Sequence, residues 1–420
     1  MTDIYIVGVG MTPFGKFLDK SVQDLTREAV SAALLDAGSD DDLSLGNSID
    51  SAFFANAAQG AMERQYSIRG ELALRDIPLR PVPIVNVENA CASASTALNM
   101  AYTHILSGQS EIALAVGAEK MFDADKAKMF GIFDGSWDVH GVEKSTATLL
   151  ALGEGVETPA EYLDTGPHSV FMDVYQAFAK FHMREFGTTP RQIAAAAAKN
   201  HQHSVDNPLA QYRKPFTVDE VLAGRMIAWP ITLPMCSPIS DGAAAAILCT
   251  GSALSKFDAA RAIRIRGTAL GSGGRRDPSD YRSEVSHLTA KRAYEMAGLD
   301  PKDIDVAEVH DATALGEIQQ TENLMLCGFG EGGPLAESGA TTIGGRIPVN
   351  PSGGLECKGH PIGATGLGQI YELVGQLRGE AGARQVEGAR IAVQPGGPFL
   401  TIALVVLTLT TSRLYLYAGA

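Results

Sequence analysis

Cysteine is scarce. The 420-residue chain has five, Cys91, Cys236, Cys249, Cys327 and Cys357. Their number is odd, they are scattered, and no CxxC occurs, so neither a disulfide framework nor a metal centre such as a zinc site is indicated. Basic residues are also outnumbered, 34 Lys and Arg against 48 Asp and Glu, for a net charge of −14. That balance opposes nonspecific binding to nucleic acid or anionic lipid, while leaving room for local Lys and Arg to hold an anionic ligand. Long apolar runs are missing too. The most apolar stretch, FLTIALVVLTLT (399–410), is too short for a membrane span, and its β-branched, Thr-rich content predicts a buried strand. SRLYLYAGA after it alternates like another short strand or is a loose end. The amino terminus lacks the basic region and cleavage site of a secretory leader, so a reducing cytoplasm is the expected compartment. VGVGMTPFG at the first strand has the wrong spacing for a GxGxxG nucleotide fingerprint.

What is present is an α/β alternation. IYIVGVG reads as a strand, and SVQDLTREAVSAALLDAG as an amphipathic helix that starts at Ser and ends at Gly. IDSAFFAN, EIALAVGAEKM, AIRIRGTAL and GARIAVQPGG read as further strands, and SEVSHLTAKRAYEMAGLDPKDI as a helix stopped by its Gly and Pro. Residues 122–233 hold few strand signals and read as a helical insertion over the sheet. The predicted halves are 1–255, carrying that insertion, and 256–420. They match in kind. VPIVNVENACASASTALNMA before EIALAVGAEK parallels RIPVNPSGGLECKGHPIGATGLGQIYEL before GARIAVQPGG. Such a duplication brings the starts of two helices together across a pseudo-twofold axis. Cys91 lies at one of those joints and His360 at the other.

A thiolate is the reactive form of cysteine, so a nucleophilic Cys needs a nearby base or a lowered pKa. A helix amino terminus helps with the second and an imidazole supplies the first. His310, in EVHDATALGEI, sits at another strand end. Cys91, His360 and His310 together make an acyl-transfer site of nucleophile, base and oxyanion donor. The other reading of Cys91 is a small buried hydrophobe, and of the two His residues, satisfied loop and strand-end groups. Cys236, Cys249 and Cys327 sit in apolar runs and read as core. His140 reads as a surface loop residue. His201 and His203 are two apart, so they do not share a helix face and make no metal pair.

NVENACASA, EVHDA and NPSGGLECKGHPIGATG resemble the signature blocks of thiolases, in particular the sterol-carrier-protein type and its bacterial and archaeal relatives. The resemblance runs over nearly the whole chain. It implies an α/β thiolase-like fold of two pseudo-symmetric βαβαβαββ halves in five αβαβα layers. It implies that Cys91 takes the acyl group, that His360 activates it, and that His310 polarises. The N–H of Cys91 and one from Gly396 or Gly397 would form the oxyanion hole. Coenzyme A thioesters would be substrates, with no resident cofactor. Arg213, Lys214, Arg275 and Arg276 are candidates for the coenzyme A phosphates, against a reading as plain surface charge. A homodimer or homotetramer is implied. The pattern departs from the family in one respect: its second, acid/base Cys is missing from QPGGP, and Ala312 follows His310-Asp311. Cys357 is the remaining candidate, against a spectator role. Relatives without that Cys include retro-aldol lyases of steroid side-chain breakdown that work with an OB-fold zinc-ribbon partner. A lyase of that kind and a non-catalytic acyl-CoA binding protein are therefore the alternatives to an acyltransferase.

Overall fold

A computed structural model of the chain describes residues 2–40, 43–274, 276–397 and 401–409. Its strands, in chain order, are β1 (Ile4–Met11), β2 (Ser51–Ala55), β3 (Ile84–Val87), β4 (Ile112–Glu119), β5 (Met226–Ala228), β6 (Ile231–Thr232), β7 (Gly242–Thr250), β8 (Ile263–Ser272), β9 (Val306–Ala307), β10 (Ile391–Gly396) and β11 (Thr401–Leu409). β5 and β6 form a small separate hairpin. The other nine hydrogen-bond in the order β3-β2-β4-β7-β1-β8-β11-β10-β9.

Read outward from the β1–β8 seam, the two flanks repeat. One flank runs β1, β7, β4, β2, β3. The other runs β8, β11, β10, β9 and then a parallel bridge from Ala307 to Val349. Pairings agree step by step: β1–β7 and β8–β11 are antiparallel, as are β7–β4 and β11–β10, while β4–β2 and β10–β9 are parallel. The seam spans only Ile4–Ile6 against Ile263–Ile265. One continuous nine-stranded sheet therefore carries both β layers of the expected five-layer arrangement.

Alternation along the strands explains the layers. Inward residues Ile6, Ala246, Ile265, Val405 and Leu407 share one core with Ala94 and Leu98 of the helix Ser93–Leu106 and with Leu367 and Leu373 of the helix Thr365–Arg378. Both flanks thus wrap this central helix pair. On the outer faces, Leu25, Val30 and Leu34 of the helix Val22–Asp36 cover Val7 and Ile247, and Ala290, Ala293 and Tyr294 of the helix Val285–Ala297 cover Ala269 and Leu404. Each fully buried Leu contributes about 2 kcal/mol by removal from water. Capping fits the sequence reading: Ser21 and Asp24 form a capping box, and Gly298 ends the Val285–Ala297 helix in a left-handed conformation.

Residues 401–409 of the stretch read as a buried strand form β11, which pairs with β8 on one side and β10 on the other. SRLYLYAGA lies outside the described residues, as does Arg275. Between β4 and β7, the helices Val170–Phe186 and Pro190–Ser204 pack a third core, through Phe178, Phe181, Ile193 and Ala197, onto Leu315 and Ile318 of the helix Ala314–Asn323. No described helix is long and apolar enough to cross a membrane.

Candidate active site

β3 delivers the chain to a tight turn. Ala90 takes a φ of 46°, a left-handed conformation that costs a Cβ-bearing residue on the order of 1 kcal/mol. Ser93 holds the turn, its hydroxyl accepting from Asn89 N–H at 2.8 Å and donating to the Ala90 carbonyl at 2.6 Å. A 3-10 turn over Ala90–Ala92 then runs into the helix Ser93–Leu106. Cys91 is therefore presented at the start of that helix, partly exposed. Burial nevertheless pushes its thiol up to about 12, and the carboxylates of Glu119 and Glu88 add to the effect against a backbone hydrogen bond that lowers it. At rest Cys91 is a thiol, and the helix terminus does not make it a thiolate.

The second repeat brings His360 to it. Gly359 takes a φ of 113°, which lets the loop turn there. A Cβ on Gly366 would stand 2.0 Å from Ser95 Oγ, so the two central helices approach as closely as glycine allows. His360 Nε2 lies 3.3 Å from Cys91 Sγ, and its Nδ1 lies 2.7 Å from Thr365 Oγ1. The Thr365 hydroxyl donates its one proton to the Pro361 carbonyl at 2.9 Å. It must therefore accept from Nδ1–H, which leaves the Nε2 lone pair facing the thiol. Burial, with help from His310, holds His360 well below the usual imidazole range. The resting pair is neutral thiol and neutral base.

Glu119, at the end of β4, secures this loop. Its carboxylate accepts from Asn56 Nδ2 at 2.8 Å and from the N–H groups of Ala57, Ala58 and Gly363, each at 2.9 Å. Burial raises it to about 7 while these donors pull the other way. It ties the chain after β2 to the His360 loop. An acidic residue closing an otherwise apolar strand was the available sequence signal for it. Thr365, five residues after His360 and at the start of a helix, was legible only as part of the motif.

His310 follows β9 and is 2% exposed. Its ring meets that of His360 edge to face, with centroids 5.0 Å apart. Cys91 Sγ and one ring nitrogen from each of His310 and His360 all lie within 4.8 Å of one another. Burial lowers His310 to about 4. The neighbouring Asp311 turns away, accepting from Leu355 N–H at 2.8 Å and Asn200 Nδ2 at 3.1 Å. It belongs to a buried polar layer with Glu317, Lys199 and Asn350, in which Lys199 and Glu317 pair at 2.8 Å.

Cys357 belongs to that layer rather than to the cluster around Cys91. It is fully buried, it hydrogen-bonds with Ser204, and burial beside Glu356 raises its thiol far above the ordinary range. The geometry thus separates Cys357 from His360 although the two are three residues apart in sequence. Cys249 is core, whereas Cys236 and Cys327 are only partly buried. His140 is exposed. His201 bonds the carbonyls of Lys214 and Pro234, and His203 that of Asn350, so both are occupied by structure.

Of the oxyanion candidates, Gly396 closes β10 and Gly397 follows it; a Cβ on Gly396 would lie 1.9 Å from Ser95 Oγ, which places this strand end against the first turn of the Cys91 helix. Arg213 is exposed, its Nε donating to the Val205 carbonyl, and Lys214 lies over the Phe216 ring at 4.8 Å. Arg276 instead lines a cavity of about 50 Å³ beside His310, together with Tyr175, Phe178, Tyr281 and Phe329. Burial raises the Tyr175 phenol, with smaller contributions from the nearby Cys91 and Cys236. It was not singled out in the sequence, where it is one aromatic on an amphipathic helix.

Residues 4–222 match the thiolase N-terminal domain and residues 275–408 the thiolase C-terminal domain-like family. An acetyl-CoA acetyltransferase of Methanothermobacter thermautotrophicus is 38% identical over 395 residues, covering 94% of this chain and 95% of the relative. Sterol carrier protein 2 of Bos taurus is 37% identical over 404 residues, covering 93% of this chain and 69% of the relative. Among solved structures, the Ltp2-ChsH2(DUF35) aldolase has the same fold, with a TM-score of 0.74 at 24% identity over 97% of this chain and 98% of that one. With both halves matched and a relative this similar along its whole length, the chain belongs to the thiolase family.

Proposed function

We propose that this chain is an acyltransferase that moves acyl groups between coenzyme A thioesters through a thioester on Cys91. The reaction runs as thiolysis of a 3-ketoacyl-CoA or as formation of acetoacetyl-CoA. The observation that carries this reading is the 3.3 Å approach of His360 Nε2 to the Cys91 thiol. The thiol gives its proton to that nitrogen as sulfur attacks the acyl carbonyl, and the departing CoA thiolate takes the proton back. Arg213 and Lys214 are proposed to meet the coenzyme A phosphates, and the active form is proposed to be a homodimer or a homotetramer.

The test is incubation with acetyl-CoA followed by mass spectrometry. An acetyl adduct on Cys91, absent from Cys91→Ala, is the expected result. A folded protein that forms no adduct refutes it. The second reading is a lyase acting with an OB-fold partner, favoured by the absence of a second thiol among the described groups around Cys91. A lyase forms no acyl-enzyme, so turnover retained by Cys91→Ala would select it.

A further inference from the structure

Carbon–carbon bond chemistry needs a base for the proton on the carbon beside the acceptor carbonyl. No second thiol is placed for it: residue 312 is alanine, and Cys357 lies in the polar layer with Ser204. The cluster does hold an imidazole nitrogen without a partner. His310 Nε2 is buried and makes no hydrogen bond. The ring also hydrogen-bonds with its own backbone, in the sense that favours a ring proton. Since Nε2 is partnerless, that bond belongs to Nδ1. Neutral His310 therefore carries its proton on Nδ1 and presents a lone pair at Nε2. A nitrogen in that state cannot donate to an oxyanion, but it can accept a proton.

We infer that His310 Nε2 is the general base for the α-proton of the acceptor thioester, in place of a second cysteine; the inference rests on the acyl-transfer reading above. In the condensing direction the α C–H bond breaks and its proton passes to Nε2. The electron pair forms the new C–C bond to the acyl carbon held on Cys91. The C–Sγ bond breaks, and sulfur keeps that pair. The imidazolium of His310 then returns its proton to Sγ, directly or through His360, within a cluster whose atoms lie no more than 4.8 Å apart. Both rings end neutral and no other reagent is consumed. Thiolysis is the reverse, with His310 protonating the departing enolate carbon. Because burial keeps the ring uncharged at neutral pH, no proton has to leave before it acts.

The test follows deuterium entering the methyl group of acetyl-CoA in D₂O, with Cys91 acetylation measured in parallel. His310→Asn keeps a polar side chain near this place and removes the base. Deuterium incorporation should fall by about 10²–10⁴-fold, and by at least about tenfold more than any loss of Cys91 acetylation. Cys357→Ser should stay within about threefold on both. Deuterium incorporation by His310→Asn within about threefold of wild type overturns the inference, as does an equal loss of both activities or a selective loss in Cys357→Ser. Should His310→Asn melt early, His310→Gln carries the same comparison. A wild type that forms no adduct refutes the acyl-transfer reading instead, and the base with it.

Discussion

Replacing Thr365 with valine tests how Cys91 is activated. With the thiol pushed up to about 12, releasing its proton at pH 7 costs about five units at 1.36 kcal/mol each, about 7 kcal/mol. Free thiolate is then about one part in 10⁵, so attack depends on a base that takes the proton in the same step. His360 can do so only while its own proton stays on Nδ1, and the Thr365 hydroxyl, 1% exposed, is what receives that proton. Valine keeps the shape and removes the acceptor. A buried N–H left without a partner costs about 1–3 kcal/mol, which favours the other tautomer and turns an N–H toward the sulfur. At 1.36 kcal/mol per tenfold, Cys91 acetylation should slow by about 10–100-fold. The assay is the rate of adduct formation by stopped mixing and mass spectrometry, with Thr365→Ser as the control that restores the hydroxyl. A folded Thr365→Val that acetylates at the wild-type rate would refute the tautomer argument.

Two further predictions concern stability. Gly366→Ala puts a methyl 2.0 Å from Ser95 Oγ, so the central helices must part; a loss of about 1–3 kcal/mol in chemical unfolding is expected, and an unchanged midpoint would mean the interface yields freely. His203 is pushed down to about 3 by burial and by Lys199, and its Nε2 accepts from Ile343 N–H while Nδ1 donates to the Asn350 carbonyl. Its folded pKa is below the ordinary 6.5, so the unfolded chain binds the proton first and stability is lost as pH falls from about 6.5 toward about 3. About 3 kcal/mol should go by pH 4.5, and the gap between wild type and His203→Asn should narrow over that range; a gap independent of pH counts against it.

How much of this was legible in the sequence depends on how local each signal is. The repeat was legible because strand, small-residue turn and glycine-rich helix are contiguous in both halves, and the Cys91–His360 encounter follows from superimposing the two. The continuous sheet was not legible, because the Ile4–Ile6 pairing with Ile263–Ile265 joins segments far apart in sequence and leaves no mark in either. The place of Cys357 was not legible for a related reason. Only two residues separate it from His360, yet the short helix Gly354–Lys358 carries its thiol to Ser204 of the insertion helix, a tertiary contact. His310 joins the two cases. Its motif told that a histidine reaches the cleft, but the position of its single proton depends on a backbone bond and an unpartnered nitrogen that no spacing encodes. A missing cysteine in the sequence therefore does not establish a missing base, because in a buried cluster the capacity to take a proton is set by which lone pair the fold leaves free.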